Sequence, residues 1–160
     1  MTILIQFYEL TRKMLAIGEK MNKRMLQLFM GINSFMIHTS HGKIGTHLGK
    51  QTILLMYTVG RKTGKLYTTP IAYFQIENSY YVIASNWGQE KNAAWYYNLK
   101  QQSEIKIEVE GKLLPVRSRE AEGEEYDRLW ADAVSHHADY NHYKEMTTRH
   151  IPIVVFDPLE

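Results

Sequence analysis

Residues 51–76 read QTILLMYTVGRKTGKLYTTPIAYFQI, and this stretch decides the fold. Thr52–Val59 is rich in β-branched and aromatic residues, GRKTGK at 60–65 is a turn bounded by glycines, and Tyr67–Ile76 resumes strand character. Two such runs around a Gly-bounded turn predict an antiparallel hairpin. Further along, Asn78-Ser79 turns the chain into a strand over Tyr80–Ser85, and a polar loop leads to a short helix over Ala93–Gln101. Glu104–Val109 and Lys112–Arg119 form a second hairpin about Glu110-Gly111. Tyr126, Leu129, Trp130 and Val134 recur at helical spacing within Gly123–His136, Asp139–Met146 reads as another helix, and Ile151–Phe156 is a last short strand. Consecutive hairpins with few helices predict an α+β, mainly β fold. About six mostly antiparallel strands close into a small barrel with peripheral helices, and a parallel βαβ array is disfavoured.

On the N-terminal side, HTSHGKIGTHLGK at 38–50 is polar and Gly-rich, a loop that ends whatever precedes it. Before it, Leu10, Met14, Ile17, Met21, Met25, Leu28, Ile32 and Phe35 recur at intervals of three and four, with Arg12, Lys13, Lys20, Lys23 and Arg24 beside them. The chain is therefore read as an amphipathic N-terminal helix, 1–37, attached to a single domain, 38–160. Packing of the helix on the domain or on a second copy in a homodimer is favoured over peripheral contact with a membrane surface, and both stay open.

At 160 residues, 44% hydrophobic and 22% charged, the composition is that of one globular domain. A chain of this size buries about 70% of its unfolded surface, so one core suffices without staples. The absence of cysteine excludes disulfides, thiolate metal sites and a cysteine nucleophile. A formal net charge of +2 gives no bulk attraction to nucleic acid. Apolar runs such as Ile151–Phe156 fall far short of the roughly 20 residues that span a bilayer, and Glu9, Arg12 and Lys13 break any signal-peptide layout. The expected location is the cytoplasm. Seven histidines raise a metal site, but no HExxH spacing occurs and none is assigned; no GxSxG elbow supports a hydrolase.

Three segments carry candidate chemistry. The turn concentrates Arg61, Lys62 and Lys65 beside two glycines and Thr63, so its cations, hydroxyl and backbone N–H groups suit a phosphate or carboxylate; a solvated hairpin tip is the plain alternative. Ala84–Asn92 runs from a strand into a helix start, where an anion is also favoured; capping by Asn92, with Trp95 and Leu99 packed inward, accounts for the same residues. His137, Tyr140 and Tyr143 fall on one helical face, as core aromatics or as the wall of a pocket for a planar ligand.

Taken in order, ILLMYTVGRKTGK, TTPIAYF, YYVIASNWGQEKNAAWYYNLK, EGEEYDRLWADAV, ADYNHY and TTRHIPIVVF resemble the deazaflavin-dependent nitroreductase family over about Gln51 to Pro158. The resemblance implies a split β-barrel that binds coenzyme F420 and passes its hydride to a small planar acceptor, a quinone or a nitroaromatic. It implies that Arg61, Lys62, Thr63 and Gly64 hold the coenzyme's phosphate and oligoglutamate tail, to which Lys65 in the same turn and the helix start near Lys91–Asn92 add cations and N–H groups. Thr69, Pro70, Ala84 and Ser85 would line the ring site, and Trp95 and Asn98 belong to the family's helix signature. Tyr67 and Asn86 stand where relatives carry basic residues, Trp87 replaces a usual glycine, and His137 replaces the first of three pocket tyrosines, which Tyr140 and Tyr143 continue. Tyr140, Tyr143, His137 and Ser85 are the implied proton donors or oxyanion partners. Relatives on the same fold use FMN, FAD or haem, or bind lipid, which is the alternative function.

Overall fold

In the computed structural model, which describes His47–Leu48 and residues 51–159, β2 (Gln51–Val59) is the spine of the sheet. It follows β1 (His47–Leu48) and pairs antiparallel with β3 (Leu66–Ala72) from Ile53↔Ala72 to Val59↔Leu66. Its residues Leu55–Tyr57 also pair with β6 (Glu104–Val109), so both of its edges are filled. The hairpin read from residues 51–76 is present, with one difference. The single strand expected over Tyr67–Ile76 breaks at Tyr73: the Tyr73 N–H still donates to the Thr52 carbonyl at 3.1 Å, whereas Phe74 opens β4 (Phe74–Ile76) and pairs with Tyr81 of β5 (Ser79–Ile83).

That break closes the barrel. The order is β1-β2-β6-β7-β8-β5-β4, with β7 at Lys112–Glu120, β8 at Ile153–Pro158 and β3 on the other side of β2. Because β3 and β4 are consecutive in the chain yet lie at opposite ends of this order, the bent segment joins the two edges. The split at Tyr73 and the two-residue β1 raise the strand count among the described residues from the expected six to eight. The remaining elements are a 3₁₀ turn at Asn86–Gly88, α1 (Ala94–Gln101), α2 (Gly123–His136) and α3 (Asp139–Glu145). The β6–β7 turn falls on Glu110-Gly111 as expected, both residues having positive φ (51° and 78°) as a two-residue hairpin turn demands. The β4–β5 turn is one residue earlier than expected, since Glu77 takes the positive φ of 52° and Ser79 already pairs with Ile76.

Strand alternation builds two large cores and a smaller cluster about Ile53 and Leu55. Leu54, Met56, Val82, Ile107, Val154 and Phe156 point into the barrel, where Tyr96 and Leu99 of α1 join them. Their neighbours Tyr81, Ile83, Ile153 and Val155 point outward and are covered by Leu129, Trp130, Ala133 and Tyr140 of α2 and α3. Each fully buried large apolar side chain contributes about 1.5–3 kcal/mol, so the sheet is stabilised from both faces and its strand ends hold fixed positions. The helix read over residues 1–37, with His38 and His41, lies outside the described residues.

Candidate functional site

The turn after β2 is a closed unit. Gly60 N–H donates to the Lys65 carbonyl at 2.7 Å, and the Thr63 and Gly64 N–H groups donate back to the Gly60 carbonyl at 3.1 and 2.7 Å. Lys65 N–H reaches Thr63 Oγ1 at 3.3 Å. Gly60 is required by the close approach of Tyr67: a Cβ there would stand 2.5 Å from the Tyr67 ring. The turn's N–H groups, one of the features that suit an anion in the sequence, are for the most part engaged within the turn. What it presents outward is side-chain charge, with Arg61, Lys62 and Lys65 all exposed.

Asn98 ties this turn to the end of the barrel. It is 7% exposed, accepts the Arg61 N–H on Oδ1 at 3.1 Å and donates from Nδ2 to Thr58 Oγ1 at 3.3 Å. The Arg61 guanidinium lies over the Tyr97 ring, 4.9 Å from its centroid. Thr63 Oγ1 and the Tyr67 hydroxyl are 3.3 Å apart, so Tyr67 braces the turn from β3. Asn98→Ala leaves buried polar groups unpaired at a cost of about 2 kcal/mol. A melting temperature lower by roughly 4–8 °C is expected for a chain of this size, and an unchanged melting curve would show that the tie is dispensable.

On β3, Thr69 and Pro70 are both half-buried but adjacent in a strand, so their side chains fall on opposite faces. Thr69 is paired with Met56 and shares the face of Ile71, which packs on the inner core; Pro70 shares the face of Ala72, outside it. Only Thr69 is on the barrel side with Ala84 and Trp95, which also pack on that core.

The second segment, Ala84–Asn92, carries a local strain. Asn86, Trp87 and Gly88 take left-handed φ values of 47°, 58° and 71° in succession, a conformation that costs a non-glycine residue about 1–2 kcal/mol. The Asn86 side chain donates to the Lys91 carbonyl at 2.6 Å, closing the loop on itself. The helix start does not use Asn92 as its cap, contrary to expectation: α1 begins after Ala93 with no side-chain cap. Asn92 Oδ1 instead accepts from Arg149 Nη1 at 2.6 Å. Arg149 was not singled out from the sequence. Its partners in the loop lie 57 to 65 residues away, and only its place in TTRHIPIVVF, before the last strand, marks it.

Gly88 connects the loop to α3, because a Cβ there would meet Met146 Cβ at 2.8 Å. Gly88→Ala therefore combines an unfavourable φ with an overlap and is expected to cost about 2 kcal/mol or more. Thermal unfolding checks this, and a variant as stable as the parent would mean that α3 yields freely. Trp87 is 42% exposed and meets Tyr143 edge-on, ring centroids 6.2 Å apart. Tyr143 in turn meets Tyr140 at 6.2 Å.

The three aromatic candidates are not equivalent. His137 is the C-cap of α2 and not a member of the helix that carries the tyrosines, so the single shared face expected from spacing is a junction of two helices. Its ring is 6.5 Å from Tyr140 and 6.1 Å from Phe74. Tyr140 is buried in the outer core, and burial, followed by Tyr143 and Asp139, pushes its phenol well above the usual range. Tyr143 is half-buried, with its phenol raised by burial and then by Asp139. Tyr143 is thus the phenol of this pair on the open side of the molecule, next to Trp87.

Most of the candidate residues follow one path: the cationic turn, Asn98 on α1, the Ala84–Asn92 loop into α1, and Trp87 of that loop against Tyr143 on α3, with Pro70 and His137 beside it. A hollow of about 330 Å³ elsewhere, between Glu120, Tyr126, Asp127 and His150, includes none of them.

Comparison with known proteins bears on this arrangement. The model of the family described as F420H(2)-dependent quinone reductase matches residues 29–158. An F420H(2)-dependent quinone reductase of Mycobacterium tuberculosis H37Rv is 30% identical over 141 residues, covering 82% of this chain and 95% of that protein. Among solved structures, an F420-H2 dependent reductase (FDR-A) is similar at a TM-score of 0.60 and 33% identity, over 66% of this chain and 93% of that one. A structure described as a domain-swapped dimer reaches a TM-score of 0.63 at 28% identity, over 82% and 98%. With the split-barrel fold in common and the family match running from residue 29 to the last strand, the chain belongs to the F420H(2)-dependent quinone reductase family.

Proposed function

We propose that this chain oxidises reduced coenzyme F420 and delivers the hydride to a quinone, with a nitroaromatic as a second acceptor class. The carrying observation is the Asn98 tie, which fixes a turn bearing three cations against the helix that also receives the Ala84–Asn92 loop. The donor set fits the coenzyme: a phosphate and oligoglutamate tail needs exposed cations on a fixed backbone, and Arg61, Lys62 and Lys65 are exposed on a turn whose backbone Asn98 and its own hydrogen bonds hold. Coenzyme F420 supplies the hydride itself when bound. The chain's own residues do the rest. The turn binds the tail, with Thr63, Gly64 and Tyr67 shaping it and Lys91 adding charge. Thr69, Ala84, Ser85 and Trp95 border the ring position, with Asn86 in the loop beside it. Tyr143 stands where a phenol can hand a proton to the acceptor oxygen as negative charge builds there. Tyr140 and His137 support that wall, and Pro70 shapes the strand from its other face.

The test titrates the full chain with F420 and with FMN by fluorescence, then mixes it with reduced F420 and menadione or a nitroaromatic. Saturable F420 binding and menadione reduction are expected. Binding of FMN without F420 would overturn the reading in favour of the flavin alternative.

A cytoplasmic homodimer, with residues 1–37 serving the dimer or the barrel, completes the proposal. No helix among the described residues is long and apolar enough to cross a membrane. Sedimentation of the full chain, with and without anionic vesicles, separates a dimer from peripheral membrane contact.

A further inference from the structure

Arg149 lies in the loop between α3 and β8, and its guanidinium donates five hydrogen bonds. Nε donates to the Gln89 carbonyl at 2.8 Å, and Nη1 donates to Asn92 Oδ1 at 2.6 Å and the His150 carbonyl at 3.0 Å. Nη2 donates to the carbonyls of Ala84 at 3.1 Å and Ser85 at 2.6 Å. A guanidinium has five N–H donors, so every one is engaged, and all five acceptors are uncharged oxygens. No donor is left over for a ligand. The cation instead gathers both ends of the Ala84–Asn92 loop, across the three consecutive left-handed residues Asn86, Trp87 and Gly88. Backbone in that region persists only where its surroundings over-determine it.

We propose that Arg149 is a positioning residue for F420: it turns the loop's carbonyls inward so that the Ser85 side chain, the Asn86–Lys91 segment and the entry to α1 keep the arrangement the coenzyme meets. The proposal rests on F420 being the cofactor. Lysine cannot replace the arginine, because a single ammonium has three donors at one point and cannot reach acceptors spread from Ala84 to Asn92. Asn92 provides the one side-chain acceptor, so it is the gentlest place to loosen the same clamp.

The experiment uses the full chain and three variants, Arg149→Lys, Arg149→Ala and Asn92→Ala, with F420 affinity read by fluorescence titration and menadione turnover measured at saturating reduced F420. For Arg149→Lys the expected result is affinity weaker by about tenfold or more, because the loop that meets the coenzyme is no longer preorganised, with the KM for menadione and kcat at saturation close to the parent's. Low-millimolar guanidinium is expected to restore affinity to Arg149→Ala, which a general loss of folding would not allow. If either arginine variant melts below the assay temperature, Asn92→Ala decides, with an expected smaller loss of the same kind. Parent-like F420 affinity in the folded variants, or a fall in kcat with affinity unchanged, overturns the role of Arg149 alone. A parent chain that does not bind F420 overturns the cofactor assignment and this inference with it.

Discussion

Replacing Arg61 and Lys62 together by alanine is expected to weaken F420 binding by about a hundredfold. Each charge-assisted hydrogen bond to a phosphate or carboxylate contributes about 1.5–3 kcal/mol, and both side chains are exposed, so the lower figure applies to each. Two such losses make about 3 kcal/mol, and 1.4 kcal/mol is a factor of ten. The fold should not suffer, because the turn is held by Gly60, Thr63 and Lys65 backbone bonds and by Asn98 to the Arg61 N–H, none of which involves a removed side-chain atom. Fluorescence titration at two ionic strengths checks both points. The parent's affinity should fall steeply with salt, and the variant's should fall less, since fewer exposed charges remain to be screened. Parent-like affinity at low salt would remove this turn from the tail site.

The strands were legible because β-branched and aromatic residues run together between turn signals; burial itself does not alternate, since Ile53–Met56 and Ile153–Phe156 are buried without a break under cores on both faces. Leu54 and Met56 face one core while Tyr81 and Ile83 face the other, and their β-branched and aromatic neighbours announce the strands locally. The break at Tyr73 was not legible: TTPIAYFQI carries strand character throughout, and only the tertiary requirement that one segment serve both edges divides it. Likewise Glu110-Gly111 is a local turn signal, whereas the left-handed φ of Trp87 is imposed from outside by the packing of the loop on Met146 and its attachment to Arg149.

The site divides the same way. Arg61, Lys62 and Lys65 stand out as a cluster in sequence, but that the N–H groups of Gly60, Thr63, Gly64 and Lys65 are engaged within the turn, and that of Arg61 by Asn98, depends on the turn's geometry. Asn92 is a good capping residue by type, yet a guanidinium 57 positions later takes its oxygen. His137 has the spacing to share a face with Tyr140, but α2 ends at His136 and the chain restarts its helix at Asp139. Residue type is local information; which partner wins is settled by contacts between segments far apart in the chain.

Tyr143→Phe is expected to slow hydride delivery to menadione by about a hundredfold while leaving F420 affinity unchanged. A positioned proton donor contributes about 10²–10⁴-fold, and the low end applies here because burial and Asp139 raise the Tyr143 phenol above its ordinary value, making it a poorer acid. The same shift fixes the pH dependence. A phenol whose pKa lies above 10 stays protonated throughout about pH 5.5–8.5, so the Tyr143 contribution is constant there and declines only at higher pH. A slope inside that window would come from another group; two imidazoles flank the pair, His137 at 6.5 Å from Tyr140 and His142 at 6.5 Å from Tyr143, and His137→Tyr tests the first. That change should flatten the slope. Tyr140→Phe serves as the contrast: its ring is 6% exposed in the outer core, so the change should alter the rate far less than Tyr143→Phe does. Single-turnover mixing of the reduced F420 complex with menadione, at several pH values, reads all three variants. If Tyr143→Phe matches the parent, the phenol is not the donor; if Tyr140→Phe alone is slow, the proton comes from the buried tyrosine; and if His137→Tyr keeps the parent's profile, the imidazole is part of the wall and carries no proton.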